Sequence, residues 1–494
     1  MTAGRIGWVS GLLFLIAWIL LFPAEPWNVD ADIYDYLSVA RNLLEGDGLS
    51  NDLIYPMTTA FDWGRQLPQP LLHRPAGYPI LLVPAVLATR GDPVRAQQTV
   101  RVLQFGFLIL IVWAGLVGFQ RRDVGFAGPA WLLLLFSPYL GAAVTRGWVE
   151  IPCALVLLVL WLRLREHNSS SAGLQRALVD GALIAGLTLL RNDLLWVPVL
   201  WWLAAVLLSP HRRQLGEFRF WRYPATACGV WLVLTLPWWI HVTLVAGSPF
   251  FNPMSYSLQL DLGTNWWNYP RLRGLEPESA LSNLRHNFLP AVIKTRHGLR
   301  YFFETLGWWL PWSIWAGAVA LWLNSRLRHR GHGVLRTDRP IVLLGVTLVG
   351  MALFYALISQ EVRHLLVLLP VLAWEIVMMM AQLTSRWETH KRLGAPILAA
   401  VVGLAIVVAP PSMPAEQQRL EVKKRQAVRV EELAGEVDNW PPGPIFTDNA
   451  AVCWLTGRTG VWRPLNSDVE ETIRETVPGM RAARWARLQA PRSE

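Results

Sequence analysis

The run IGWVSGLLFLIAWILLF at residues 6–22 carries no charge, and eight residues after its end begins Asp30-Ala31-Asp32. A run of this length approaches the ~20 apolar residues with which a helix crosses the hydrocarbon core of a bilayer. Two carboxylates just past such a segment lie at a membrane surface. There an acid captures a cation, steers a charged group or accepts a proton, none of which an apolar residue does. A solvated loop, or a cap on a following helix where negative charge suits the helix dipole, accounts for one acid by structure alone. It leaves the pair unexplained.

The rest of the chain repeats the pattern of 6–22. With 494 residues, 53% of them hydrophobic and only 16% charged, the composition excludes an ordinary soluble protein and predicts an all-α polytopic membrane protein. Eleven segments approach span length: 6–22, 97–119, 126–143, 150–162, 177–190, 194–208, 224–245, 302–323, 340–358, 364–383 and 394–410. Those beginning at 150, 177 and 194 are short, and are expected to extend through flanking polar residues or to tilt little. A cleaved signal peptide at 6–22 is disfavoured, because no small-x-small site follows.

Orientation comes from Lys and Arg, which gather in short cytoplasmic loops. With the N-terminus inside, the inner loops hold Arg121 and Arg122; Arg163, Arg165 and Arg176; Arg212, Arg213, Arg219 and Arg222; Arg326 to Arg339; and Arg386, Lys391 and Arg392. The net charge of +10 is therefore a topology signal, and no basic soluble domain suggests nucleic acid as a partner. Loops 23–96 and 246–301 and the tail from 410 fall outside, so the acidic pair is extracytoplasmic. Three cysteines, Cys153, Cys228 and Cys453, are too scattered for a disulfide framework or a metal knuckle. No internal repeat or glycine-rich phosphate loop is visible.

In the first outer loop Ile33, Tyr36, Leu37, Ala40, Leu43 and Leu44 recur at helical spacing until Gly46 and Gly48, which predicts an amphipathic helix along the membrane face. Next, His73-Arg74-Pro75-Ala76-Gly77-Tyr78-Pro79 precedes an apolar run at 80–88, too short to span and expected to dip into the interface. Arg74 there is placed to grip a phosphate at headgroup depth, or simply to snorkel. Thr145-Arg146-Gly147-Trp148-Val149-Glu150 puts an Arg and a Glu at the next outer edge, where they serve function or pair with each other. Arg191-Asn192-Asp193 and Gln360-Glu361-Val362-Arg363-His364 mark two further outer turns. Isolated arginines at outer turns run against the positive-inside trend, and are read as a basic rim around an acidic site. The Trp pairs suit an interfacial aromatic belt, with Trp266 and Trp267 of the loop 246–301 the candidates for another role. That loop also carries Arg271, Arg273, His286, Lys294 and Arg296, and is placed to close over a lipid-borne substrate.

Taken in order, these elements resemble the integral-membrane glycosyltransferases of the C fold, in the bacterial branch similar to protein mannosyltransferases and the aminoarabinose transferase of lipid A. Asp32-Ile33-Tyr34-Asp35-Tyr36, with Ala40-Arg41-Asn42-Leu43 and Gly46-Asp47-Gly48, looks like the family's first-loop signature. The segment 73–79 looks like its basic-Pro-x-Gly-Tyr-Pro element, and Glu150-Ile151-Pro152 occupies its second acidic position. Leu190-Arg191, Leu236-Pro237-Trp238, Arg363-His364 with Pro370, and Thr447-Asp448 with Thr456-Gly457-Arg458 resemble further recurrent elements. Two positions depart from it. Ile33 follows Asp32 where many relatives have Glu, leaving Asp30 as a candidate second acid, and His241-Val242 stands where many have Arg-Asn.

The resemblance implies a sugar donor linked to polyprenyl phosphate and an active site on the outer side of a bacterial cytoplasmic membrane. Asp32 would be the catalytic acid residue, with Asp30 and Glu150 beside it. His73, Arg74, Tyr78, Arg146, Arg191, Arg363 and His364 would bind substrate or its phosphate. The acceptor would be a hydroxyl of a lipid, glycan or protein. No metal site is assigned, although a divalent cation shared by Asp30, Asp32 and Glu150 is chemically open. The alternatives are a flippase for a polyprenyl-linked sugar and a non-catalytic binding protein. A transporter is expected to show repeated halves and mid-membrane polar groups, which this sequence lacks. Residues 1–410 are expected to form the membrane domain, and 411–494 a small extracytoplasmic α/β segment.

Overall fold

The computed structural model describes residues 3–21, 31–122, 124, 127–135, 137–165, 173–207, 218–253, 285, 288–309, 339–358, 362–385, 426, 428–462 and 467–487. Asp30, Gln360, Glu361, Trp266, Trp267, Arg271, Arg273, His286 and the segment 394–410 lie outside the described residues.

Most described residues are helical, as the long apolar runs predict. The helices are α1 (Ala3–Leu21), α2 (Ala31–Glu45), α3 (Gly77–Ala88), α4 (Pro93–Gln120), α5 (Gly128–Leu135), α6 (Pro138–Thr145), α7 (Glu150–Arg165), α8 (Leu174–Leu190), α9 (Trp196–Leu207) and α10 (Phe218–Ala246). Helices Phe288–Trp309, Arg339–Ile358 and Leu369–Ser385 follow. Among the described residues Pro93–Gln120 and Trp221–Ala246 are long and apolar enough to cross a membrane, and Gly7–Leu20, Gly77–Ala88 and Leu343–Leu357 are shorter apolar helices. Leu12, Leu20, Val233 and Leu244 point outward, a surface suited to lipid rather than water.

Proline reshapes two expected spans. The segment 126–143 is broken into α5 and α6, because Pro138 has no N–H to donate and cannot continue the preceding turn. The segment 364–383 starts as a 3-10 turn, Val362–Leu368, before becoming the α-helix Leu369–Ser385, with Pro370 in the first turn where its missing N–H costs nothing. Only 302–309 of the expected span 302–323 is described, and it closes a helix that already begins at Phe288.

The amphipathic helix expected in the first loop is α2, but it does not lie open on a surface. Residues 33–40 are all buried, with α3 on one side and the tail helix Ala450–Thr456 on another. Its polar residues are matched by the buried carboxylate of Asp52. That group accepts from Ser38 Oγ at 2.7 Å, Arg41 Nη2 at 2.7 Å and Asn42 Nδ2 at 3.1 Å. Pairing at this density is what makes burying a polar helix face tolerable.

The tail contributes most of a small parallel sheet. Strand β1 (Ser50–Asn51) pairs antiparallel with β3 (Gln69–Pro70). Strand β2 (Leu53–Ile54) joins β4 (Ile445–Thr447), β5 (Gly460–Trp462) and β6 (Arg484–Ala486) in the order β2-β5-β4-β6. The first loop thus supplies the edge strand of the tail's sheet. At the far end of the bundle, Arg163 and Arg176 meet Asp180, Arg165 Nε lies 3.0 Å from Glu375, and the Arg122 guanidinium lies 4.8 Å from the Trp374 ring centroid. These are basic residues assigned to inner loops. The sixteen residues of α7 separate Arg165 from Glu150 by ~22 Å at 1.5 Å per residue.

Candidate active site

Four loop segments meet at the end of the bundle where α2 and α7 begin. Gly77 starts α3 against the last turn of α8, so close that a Cβ there would lie 2.5 Å from the Leu189 carbonyl oxygen. Glycine is required at that contact, which seats the start of α3 against the end of α8. Gly147 turns the chain between α6 and α7 with φ +69°, a conformation that L side chains avoid. Tyr78 is fully buried, and its hydroxyl donates to the Gly147 carbonyl at 2.6 Å. Gln104 Nε2 donates to the Tyr78 oxygen at 2.5 Å and to the Trp148 carbonyl at 3.0 Å. Tyr78 therefore holds the 146–148 turn in place. It was drawn inward because its hydroxyl has two polar partners there and its ring packs edge-on to Tyr36 at 4.8 Å.

On this scaffold Asp32 lies between two arginines. Arg74 Nη2 donates to Asp32 Oδ1, and Arg363 Nη1 meets Oδ2. The Asp32 side chain remains only 14% exposed, Arg74 12% and Arg363 17%, so these are partly desolvated pairs rather than surface ones. Arg74 is further fixed by its Nη1 bond to the Tyr36 hydroxyl at 2.8 Å and by its position 4.7 Å from that ring's centroid. Burial opposes the charge on Arg74. Asp32, Tyr36 and Asp35 outweigh that opposition and hold the guanidinium firmly ionised. Trp148 has two guanidiniums near its ring, Arg146 at 5.4 Å and Arg363 at 5.2 Å.

Asp35, one turn along α2 from Asp32, is buried beneath this pair. Its Oδ2 accepts from the Tyr55 hydroxyl and lies 3.4 Å from Arg74 Nη2 and 3.9 Å from His73 Nε2. Tyr55 in turn stacks on Trp462 of β5, with centroids 5.9 Å apart and planes at 19°. The tail sheet thus reaches the acidic site through Tyr55 and Asp35.

A second group adjoins the first. Glu150, buried at the first residue of α7, accepts from Arg191 Nη1 at 2.9 Å and lies 3.3 Å from His364 Nδ1. Arg191 ends α8 and also holds Asp193 with both prongs of its fork, at 3.1 and 2.6 Å, and meets the Tyr355 hydroxyl at 3.0 Å. Tyr355 donates to Asp193 at 2.6 Å. Burial resists ionisation of Asp193, yet the Arg191 charge and these hydrogen bonds prevail and hold its carboxyl down at about 2. Arg363 and His364 are consecutive and join the two groups.

Of the residues singled out in the sequence, Asp32, His73, Arg74, Arg146 and Arg363 thus fall in the first group and Glu150, Arg191 and His364 in the second. Tyr78 stands behind both, and Asp30 lies outside the described residues. Glu150 faces Arg191 and His364 in the described contacts. Sequence reasoning passed over Asp35, Tyr55, Trp148, Asp193 and Tyr355 as site residues. The i, i+3 spacing of Asp32 and Asp35 on a helix was a usable signal. Nothing in the sequence pointed to Tyr55 or Tyr355, which arrive from distant elements. Among the described residues no group of three or more His, Cys, Asp or Glu side chains is placed to hold a metal ion.

Two solved structures share the architecture. ArnT from Cupriavidus metallidurans bound to undecaprenyl phosphate superposes with a TM-score of 0.55 at 15% identity, over 97% of this chain and 90% of that one. The same protein in its apo state gives 0.55 at 14% identity, over 96% and 89%. The likeness is one of fold over nearly the whole of both chains. At the level of fold it agrees with the resemblance noted in the sequence. No family model and no curated protein sequence matches the chain.

Proposed function

We propose that this chain is a multi-pass membrane glycosyltransferase that moves a sugar from a polyprenyl-phosphate donor to an acceptor hydroxyl on the extracytoplasmic side of a bacterial cytoplasmic membrane. The observation that carries the proposal is the partly buried Asp32 carboxylate between Arg74 and Arg363, at the end of a helical bundle that shares the fold of a protein solved with undecaprenyl phosphate. A carboxylate beside two guanidiniums suits the reaction. Asp32 accepts the acceptor's hydroxyl proton, the acceptor oxygen bonds to the anomeric carbon, and the bond from that carbon to the phosphate oxygen breaks with its electron pair on the phosphate. Attack and departure on opposite faces invert the sugar.

The leaving phosphate needs countercharge, and Arg74 and Arg363 supply it from a site already shaped for an anion. Arg146, next to Trp148, adds positive charge at the rim. Glu150 and Arg191 act from behind by fixing His364 and hence Arg363. The basic residues that gather at the opposite end of the bundle support the outer location. The tail sheet, through Trp462 and Tyr55, serves as a brace for the acidic site.

The test is transfer from a panel of radiolabelled polyprenyl-phosphate sugars by the purified protein in nanodiscs, with membrane extract as the acceptor source. Transfer by wild type and none by Asp32→Asn supports the proposal and identifies the donor. Translocation or protection of the labelled lipid without transfer assigns the chain to the flippase or binding class instead.

A further inference from the structure

Both arginines proposed to receive the phosphate already hold Asp32, one on each carboxylate oxygen. A phosphate at that position therefore competes with the very carboxylate that is to act as base. Resting on the glycosyltransferase proposal, we infer that Arg74 and Arg363 are shared in time between Asp32 and the phosphate: negative charge leaves Asp32 by protonation as it arrives on the phosphate, and the same two guanidiniums serve both.

The charges balance through the step. A donor phosphodiester carries one negative charge and the free polyprenyl phosphate carries a second. Asp32 loses its own when it takes the acceptor's proton. The total charge facing the guanidiniums is unchanged, so stabilisation moves with the reaction without any new group being brought in. Asp35 and Tyr36 make the transfer orderly. They hold Arg74 independently of Asp32, through the 2.8 Å bond to the Tyr36 hydroxyl and the 3.4 Å approach to Asp35 Oδ2. Asp35 Oδ1 is buried with no hydrogen-bond partner, so the carboxylate has acceptor capacity to hold Arg74 when Asp32 releases it. Asp35 is thus a positioning residue.

The sign of one measurement tests this. Asn at position 32 imitates the protonated, product-state carboxyl, so Asp32→Asn should bind a polyprenyl monophosphate more tightly than wild type, by about tenfold, although it cannot catalyse transfer. The assay is titration of undecaprenyl phosphate against each protein in nanodiscs, with the uncharged polyprenol as control for the chain. Arg363→Gln should weaken phosphate binding, and in Asp32→Asn/Arg363→Gln the tightening should fall to the part that runs through Arg74, because one of the two shared guanidiniums is gone. Thermal unfolding of each variant establishes that it is folded, and Asp32→Ser replaces Asp32→Asn if the latter is not. Equal or weaker binding by a folded position-32 variant, or tightening that survives unchanged in the double variant, overturns the shared-guanidinium proposal alone. Failure of wild type to bind the phosphate in preference to the polyprenol overturns the glycosyltransferase proposal as well.

Discussion

Arg191 is the residue whose removal should cost most. It faces two acids, Glu150 at 2.9 Å and Asp193 at 2.6 Å, and also meets Tyr355 and His364, with only 10% of its side chain exposed. In Arg191→Ala, Glu150 and Asp193 are left as neighbouring anions in a poorly solvated pocket. Breaking a buried pair by deleting one partner costs ~3–5 kcal/mol, since the remaining charge keeps its desolvation penalty and loses its compensation. The partial exposure of Asp193, at 25%, places the loss near the lower end, ~3 kcal/mol. Arg191→Lys retains the charge but not the fork, and should lose about half as much. Denaturant or thermal unfolding in matched detergent, followed by tryptophan fluorescence, measures the loss. Adding Glu150→Gln to Arg191→Ala should recover a substantial part of it, because one of the stranded charges is removed. If Arg191→Ala were as stable as wild type, or if Glu150→Gln deepened the loss, the electrostatic account of this pocket would be wrong.

Asp193 adds a pH dependence: its folded-state carboxyl sits at about 2 against an ordinary 3.8, so it stabilises the fold fully above about pH 4 and ever less as pH falls toward 2. That contribution is at most ~2.5 kcal/mol, and an Asp193→Asn protein should show a correspondingly flatter stability profile between pH 4 and 2. Gly77→Ala pushes a methyl group into the Leu189 carbonyl, so we expect a loss of ~1–3 kcal/mol and a fall in transfer activity, read by unfolding and by the radiolabel assay. Tyr55→Phe removes the donor to buried Asp35 at ~1–3 kcal/mol, and should lower kcat more than it raises KM, because Arg74 remains present but less well placed. Trp462→Ala should reproduce a milder form of the same kinetic change if the tail braces the site, and should leave kcat untouched if the tail is merely attached.

The hydrophobic runs were sufficient to locate most helices, because the requirement that a membrane segment satisfy its own backbone is written into every residue of the run. Basic-residue bias likewise separated the arginines of one bundle end, such as Arg163 and Arg165, from Arg146, Arg191 and Arg363 at the other. The stretch from Asp32 to Tyr36, the segment 73–79 and Glu150 were legible as chemistry, since charge beside an apolar run is costly and needs a reason. Only the folded chain decided which charge meets which. Arg74, Arg363 and Asp32 are brought together by turns whose geometry depends on the backbone contact at Gly77, the left-handed turn at Gly147 and the buried Tyr78 and Gln104 behind it. The enclosure of α2, the role of Asp35 and the strand that β2 lends to the tail's sheet depend on partners hundreds of residues away. Periodicity and composition report what a segment does locally; a hydrogen bond between Tyr55 and Asp35, or a ring of Trp462 against Tyr55, exists only once packing has set the distance.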